Sequence, residues 1–221
     1  MADTTMKIVT TVVSLFKTNC YLVMNETTRD AFLIDPGDNP KDILAVLERE
    51  QVNLKAIFLT HGHLDHFRGV PKILEMFSVP VYAQKQEIAV LEDADLNLTL
   101  YFRRKAETLT GVLPLEDGAE FTAAGFEGRV LHTPGHTRGG CCYYFPKEGI
   151  LFSGDTLFYR SVGTTDFPEG SMSTLCRSIR EKLFVLPDNT LVYPGHGETT
   201  VIGEEKRENP FVVYDENSVW N

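Results

Sequence analysis

THGHLDHFRG, residues 60–69, places three of the chain's six histidines and one aspartate within six consecutive positions, His61 to His66. The stretch follows the apolar run Ala56-Ile57-Phe58-Leu59, so a short buried strand is expected to end where the polar residues begin. An extended His61-Gly62-His63 puts both imidazoles on one side of the chain, with Asp65 and His66 following at the turn. Four crowded polar side chains need partners that apolar packing does not provide, whereas a divalent cation satisfies imidazole nitrogens and a carboxylate oxygen together. One ion does not easily use all four. His61 and His63 would share one position and Asp65 and His66 face a neighbouring one, which makes two metals the natural count.

Two metals need further ligands, and three later segments repeat one pattern: an apolar strand, a glycine-containing turn, then a polar residue. His136 follows the Pro134-Gly135 turn, Asp155 follows Gly154 at the end of Leu151-Phe152-Ser153, and His196 follows Pro194-Gly195. His132, which precedes its turn, is read as a structural hydrogen-bonding residue and not as a ligand.

Composition narrows the alternatives. The 221 residues, 43% of them hydrophobic, suffice for one sizeable domain spanning 1–221, and no linker, repeat or low-complexity tract suggests a boundary. A formal net charge of −10 argues against a nucleic-acid partner, since a phosphate backbone would be repelled. No apolar run approaches the ~20 residues of a membrane span. The start, MADTTMKIVTTVV, has no long apolar segment followed by a small-residue cleavage site, so a cytoplasmic location and no membrane association are expected. Cys20, Cys141, Cys142 and Cys176 form no CxxC pair and read as small buried hydrophobes in a reducing compartment.

Hydrophobic patterning predicts strands at 7–13, 20–24 and 31–34, then a helix over 41–50. An alternation follows: strand 56–59, helix 70–77, strand 79–83, helix 85–91. Residues 94–118 give no clear pattern. Strands are predicted at 119–123, 128–132, 141–145 and 150–153, then a helix starting at Ser171 or Ser173 and ending before Pro187, then a strand at 190–193. Strands cluster in each half and helices punctuate both, which predicts an α/β architecture of two sheets with helices outside.

The pattern HxHxDH at His61 to His66, followed in order by His136, Asp155 and His196, resembles the metallo-β-lactamase fold superfamily from about Lys7 to the chain's end. The resemblance implies an αββα sandwich of two mixed β-sheets flanked by helices, with two divalent ions at one edge. They would be zinc, or alternatively iron or manganese. It further implies that His61, His63 and His136 hold the first ion, Asp65, His66 and His196 the second, and Asp155 bridges them, so that Asp65 and Asp155 count as catalytic. Within the superfamily, Thr133-Pro134-Gly135-His136-Thr137, Gly154-Asp155-Thr156-Leu157-Phe158 and Pro194-Gly195-His196-Gly197 are similar to hydroxyacylglutathione hydrolase, glyoxalase II. The stretch from Gly203 to Phe211 is similar to its short bacterial branch.

Two such ions would acidify a water between them, giving a hydroxide that attacks a carbonyl without a general-base side chain. A thioester suits a site without an obvious general acid, because its thiolate leaves readily. The resemblance implies S-(2-hydroxyacyl)glutathione as the small-molecule substrate, cleaved to glutathione and a 2-hydroxy acid. Two departures bear on the carrier thiol. The longer relatives have a further helical C-terminal segment with basic residues for glutathione, which this sequence, ending at Asn221, does not include. Thr164 stands where relatives have a basic residue, leaving Arg160 or Lys206 as candidate substrate contacts. The alternatives are a persulfide dioxygenase with one iron on His61, His136 and Asp155, a lactonase, and a non-enzymatic metal-binding module. An open, bridged site disfavours the last.

Overall fold

The segment Thr18–Asn25 is buried at all eight positions, and its side chains alternate between two separate cores. Tyr21 and Val23 join one apolar cluster, Leu22 and Met24 another. Side chains of a strand alternate between faces, so a strand buried throughout must belong to a sheet covered on both sides. The computed structural model, which describes residues 5–212, shows the covering layers.

Its first sheet runs in the order β1 (Met6–Val13), β2 (Thr18–Asn25), β3 (Asp30–Ile34), β4 (Asn53–Leu59), β5 (Val81–Gln84), β6 (Leu113–Leu115). The first three strands are antiparallel, and β3 to β6 are parallel. A parallel step needs a crossover. Between β3 and β4 that crossover is helix α1 (Pro40–Glu50), which buries Ile43 and Leu47 against the outer face of the sheet. Short helices α2 (Leu64–Phe67), α3 (Val70–Leu74), α4 (Ile88–Leu91) and α5 (Thr99–Arg103) lie in the later connections.

The second sheet contains β7 (Glu120–Ala123), β8 (Phe126–His132), β9 (Cys141–Phe145), β10 (Ile150–Gly154), β13 (Leu191–Pro194) and β14 (Thr200–Val201) in the spatial order β14-β13-β10-β9-β8-β7. A two-stranded ribbon of β11 (Leu157–Phe158) and β12 (Ser161–Val162) stands beside it. Among the described strands of this second sheet, only β10 and β13 pair in parallel. Helices α6 (Met172–Ser178) and α7 (Ile202–Glu208) cover its outer face through Leu175 and Ile202. Between the sheets Tyr21, Phe32, Phe58, Phe126, Tyr143 and Phe152 form an aromatic-rich core. The result is the helix, sheet, sheet, helix layering with two mixed sheets that the resemblance implies.

Several local expectations shift. The helix expected over 70–77 is α3 alone, Val70–Leu74, although the Phe77 amide still reaches Ile73 O at 2.9 Å. The helix expected over 85–91 begins as a 3₁₀ turn, because the Gln84 side chain accepts from the Gln86 amide at 2.6 Å and fixes a tight start. The last long helix starts as expected: Ser171 caps it by accepting from the Thr174 amide, and it continues past Ser178 as a π turn, Ile179–Leu183. Residues 94–118, unassigned from sequence, contain α5 and the edge strand β6, where Pro114 is tolerated on an outermost strand. All four cysteines are unpaired and buried. Among the described residues no helix is long and apolar enough to cross a membrane.

Candidate metal centre

Strands β4, β8, β10 and β13 all end at the same edge of the sandwich, and each delivers polar residues there. His61 and His63 follow β4, Asp65 and His66 lie in α2, His136 follows β8, Asp155 follows β10 and His196 follows β13. Two glycines make the convergence possible. Gly154 has φ +48°, a left-handed conformation that side chains rarely adopt. A Cβ on Gly195 would stand 2.2 Å from Asp155 Oδ1, so only glycine lets the β13 turn pass the carboxylate.

The seven residues form three overlapping groups whose potential ligand atoms lie within 4.8 Å of one another: His61, His63, His136; His61, His66, Asp155; and Asp65, His66, His196. Asp155 stands between the outer two groups. Its Oδ2 is 3.5 Å from His136 Nε2 and 3.4 Å from His196 Nε2, while Oδ1 is 3.5 Å from His66 Nε2. Asp65 Oδ2 lies 3.5 Å from His66 Nε2 and 3.4 Å from His196 Nε2.

Four of the rings are held from behind. The Nδ1 atoms of His66, His136 and His196 face Asp35 Oδ2 at 3.0 Å, Thr164 O at 2.6 Å and Phe16 O at 3.1 Å. The two carbonyls only accept, and the Asp35 carboxylate already takes the Thr60 hydroxyl, so each Nδ1 carries a proton and each Nε2 turns inward, where it can offer its lone pair to a cation in place of a proton. His61 follows the same logic: the Thr60 hydroxyl donates to Asp35 at 2.6 Å, so its oxygen receives His61 Nδ1–H at 3.2 Å. The consequence is unfavourable without a cation. His61 and His136 then point lone pairs at each other across 3.3 Å, and the buried His63 Nε2, His66 Nε2 and Asp155 Oδ1 have no hydrogen-bond partner. The donor set, five imidazoles and two carboxylates, matches what borderline divalent ions take.

Electrostatics agree. Burial and the neighbouring rings hold His61 and His63 well below the usual imidazole range. Burial also opposes charge on His66 and His196, yet Asp65 and Asp155 outweigh it and push them up to about 9 and about 11. Burial disfavours ionised Asp155, but His66 and His196 bring it down to about 2. The pocket therefore calls for positive charge beside its carboxylates.

Three contributors carried no recognisable signal in the sequence. Asp35, at the end of β3, accepts from the Thr60 amide and hydroxyl and from His66. Its setting, an apolar strand followed by Pro36-Gly37, shares the strand and the turn of the ligand pattern but places the polar residue ahead of the turn, and is the one clue that could have found it. Thr18 donates to Asp65 at 2.6 Å. Glu87 is fully buried and accepts from the Gly62 amide at 2.6 Å, the Thr137 hydroxyl at 2.9 Å and the Gly139 amide at 2.8 Å, tying the His61–His66 loop to the His136 loop.

A cleft of about 380 Å³ opens over the centre, and among its lining residues are Phe16, Leu98, Phe102, Phe158, Thr164 and Phe167. Of the three residues proposed from sequence to touch substrate, only Thr164 lines it. The Arg160 guanidinium pairs with Glu208, and Lys206 binds Leu186 O at 3.0 Å and Asp188 at 2.6 Å. His132 sits apart, its Nε2 2.9 Å from Arg138 O, and belongs to none of the three groups.

The model of the family described as "Metallo-beta-lactamase superfamily" matches residues 13–196. Hydroxyacylglutathione hydrolase GloC of Haemophilus influenzae is 34% identical over 204 residues, which cover 90% of this chain and 95% of that protein. The crystal structure of BLEG-1 B3 metallo-beta-lactamase is 36% identical with a TM-score of 0.88, covering 94% of this chain and 100% of that one. TTHA1623, solved in a di-iron-bound form, is 38% identical with a TM-score of 0.81, covering 92% and 99%.

Proposed function

We propose that this chain, which belongs to the metallo-beta-lactamase superfamily, is a hydrolase of acyl thioesters that works with two divalent metal ions. The observation that carries the two-metal reading is Asp155, whose carboxylate lies within 3.5 Å of His136 on one side and of His66 and His196 on the other. His61, His63 and His136 would hold one ion, Asp65, His66 and His196 the second, with Asp155 shared. The di-iron form of TTHA1623 supports that count, and zinc, iron or manganese suits the donors. Such a pair supplies Lewis acidity, lowering the pKa of a bound water toward neutrality and polarising a carbonyl.

The chain's own residues set the rest. Asp35, Thr164 and the Phe16 carbonyl fix three imidazoles, so no ring has to reorient when substrate arrives. Thr18 donates to Asp65 and holds that carboxylate in place. Hydrolysis forms a C–O bond and breaks C–S, the electron pair leaves on sulfur, and the thiolate takes its proton from solvent. Of the residues lining the cleft, those outside the seven ligands are Phe16, Leu64, Leu98, Phe102, Phe158, Val162, Thr164 and Phe167, and none is a general acid. A thiolate, the anion of a thiol with pKa ~8.5, leaves without one, whereas an alkoxide or amine would not. This favours thioesters over lactones. The name of the Haemophilus relative supplies the reference compound, an S-(2-hydroxyacyl)glutathione.

The test is one metal-characterised preparation assayed against lactoylglutathione, other thioesters, lactones and glutathione persulfide. Thioester turnover with about two metals per chain is expected. One iron per chain with oxygen-dependent consumption of the persulfide would replace this reading with a dioxygenase.

A further inference from the structure

Above the metal centre, aromatic rings lead from a ligand to solvent. Phe167 meets His63 edge-on at 5.8 Å between centroids, Phe102 meets Phe167 at 5.9 Å, and Phe16 meets Phe102 at 5.1 Å. Phe16 and Phe102 remain 43% and 42% exposed. Phe16 is tied to the centre, because its carbonyl receives His196 Nδ1. Exposed rings that continue a buried polar cluster do not serve a core; they make the apolar wall of a binding cleft.

Among the described residues lining the cleft there is no lysine or arginine; Arg68 and Arg103 line an adjoining hollow that shares Phe16, Leu64, Asp65 and Phe102 with it. Arg160 pairs with Glu208, Lys206 with Asp188, and Arg68 with Asp38 and Glu107. Glutathione carries two carboxylates, which would approach a chain of net charge −10 and find no lysine or arginine among the described residues lining the cleft. A neutral apolar arm would instead exchange water for ring surface.

Resting on the thioester-hydrolase reading, we infer that the thiol arm of this site's substrate is apolar and uncharged and lies along Phe167, Phe102 and Phe16, so that glutathione is a poor carrier. The experiment compares two thioesters with the same acyl group, S-lactoylglutathione and the lactoyl thioester of benzyl mercaptan, on the metal-loaded full chain. The benzyl compound is expected to show kcat/KM at least ~10-fold higher, carried mainly by KM, since the rings hold ground and transition states alike. The double variant Phe16→Ser, Phe102→Ser should bring the ratio to within ~3-fold. Phe102→Arg, which puts a cation on the wall, should reverse it toward glutathione in a salt-sensitive way.

Equal or better kcat/KM for lactoylglutathione, or a benzyl preference that survives the double variant, would overturn the inference. If neither thioester is cleaved by two-metal protein, it is the hydrolase reading that fails. Calorimetric binding of the uncleavable ketones acetonyl benzyl sulfide and S-acetonylglutathione then still decides the inference: tighter benzyl binding, lost in the double variant, supports it, and tighter glutathione binding overturns it.

Discussion

Nδ1 of His66 lies 3.0 Å from Oδ2 of Asp35, and that oxygen also takes the Thr60 hydroxyl at 2.6 Å. Asp35 thus fixes the proton on the outer nitrogen of His66 and, through Thr60, of His61. Asp35→Ala should weaken metal binding 10- to 100-fold, the usual cost of losing a carboxylate behind a ligating histidine. Competition with a chromophoric chelator measures it. Unchanged affinity in a folded variant would mean that the rings are held by packing alone.

Asp155→Ala should lower turnover by at least ~100-fold and reduce bound metal below two per chain, with the circular dichroism spectrum retained. His132→Ala should cost far less, because its ring hydrogen-bonds to Arg138 O and belongs to none of the three ligand groups. Equal damage from both folded variants would overturn the ligand assignment.

Glu87 supplies a pH signature. Burial pushes its carboxyl up to about 7, against the Gly62, Thr137 and Gly139 donors that favour the ionised form. With an unfolded value of ~4.3, the folded state binds the extra proton between ~4.3 and about 7. The stability this residue contributes is therefore full below ~4.3 and lost as pH rises through about 7. Glu87→Gln does not titrate, so metal-free variant should gain on metal-free wild type across that window, by an amount on the order of 3 kcal/mol. Urea unfolding at several pH values reads the difference. A gap that moves the other way would show that the three donors outweigh burial.

Thr164→Arg should lower KM for lactoylglutathione several-fold with little change in kcat, because the substitution leaves the backbone carbonyl that holds His136 in place. Added salt should shrink the gain. Asp166, which accepts the Thr164 hydroxyl at 3.1 Å, would compete for the new guanidinium, so the effect should grow in an Asp166→Asn background. Arg160→Ala and Lys206→Ala should leave this KM unchanged. A rise in either variant would place that side chain at the substrate despite its pairing here.

The ligand histidines were legible because their information is local: HxHxDH packs four donors into six residues, and the Pro-Gly turns repeat one punctuation. Asp35, Glu87 and Thr18 were not, since each acts through hydrogen bonds to residues 25 to 52 positions away, and a lone carboxylate or hydroxyl shows nothing of that in sequence. The long strands and α1 were readable from periodicity. The elements in 94–118 were not, because a five-residue helix and a three-residue edge strand are too short to show a period. Arg160 and Lys206 illustrate the converse: a cation near a motif in sequence says nothing about which acid it meets in space.

Each proposed metal position draws donors from both sheets: His61 and His63 from the end of β4 with His136 beyond β8, and Asp65 and His66 from α2 with His196 beyond β13. An ion held there is a rivet through the seam of the sandwich, tying its two halves at the edge where the cleft opens. Loading should then slow the parting of the layers at that edge, so that amide exchange along β4 and β13 is slower in the loaded protein than in the metal-free one.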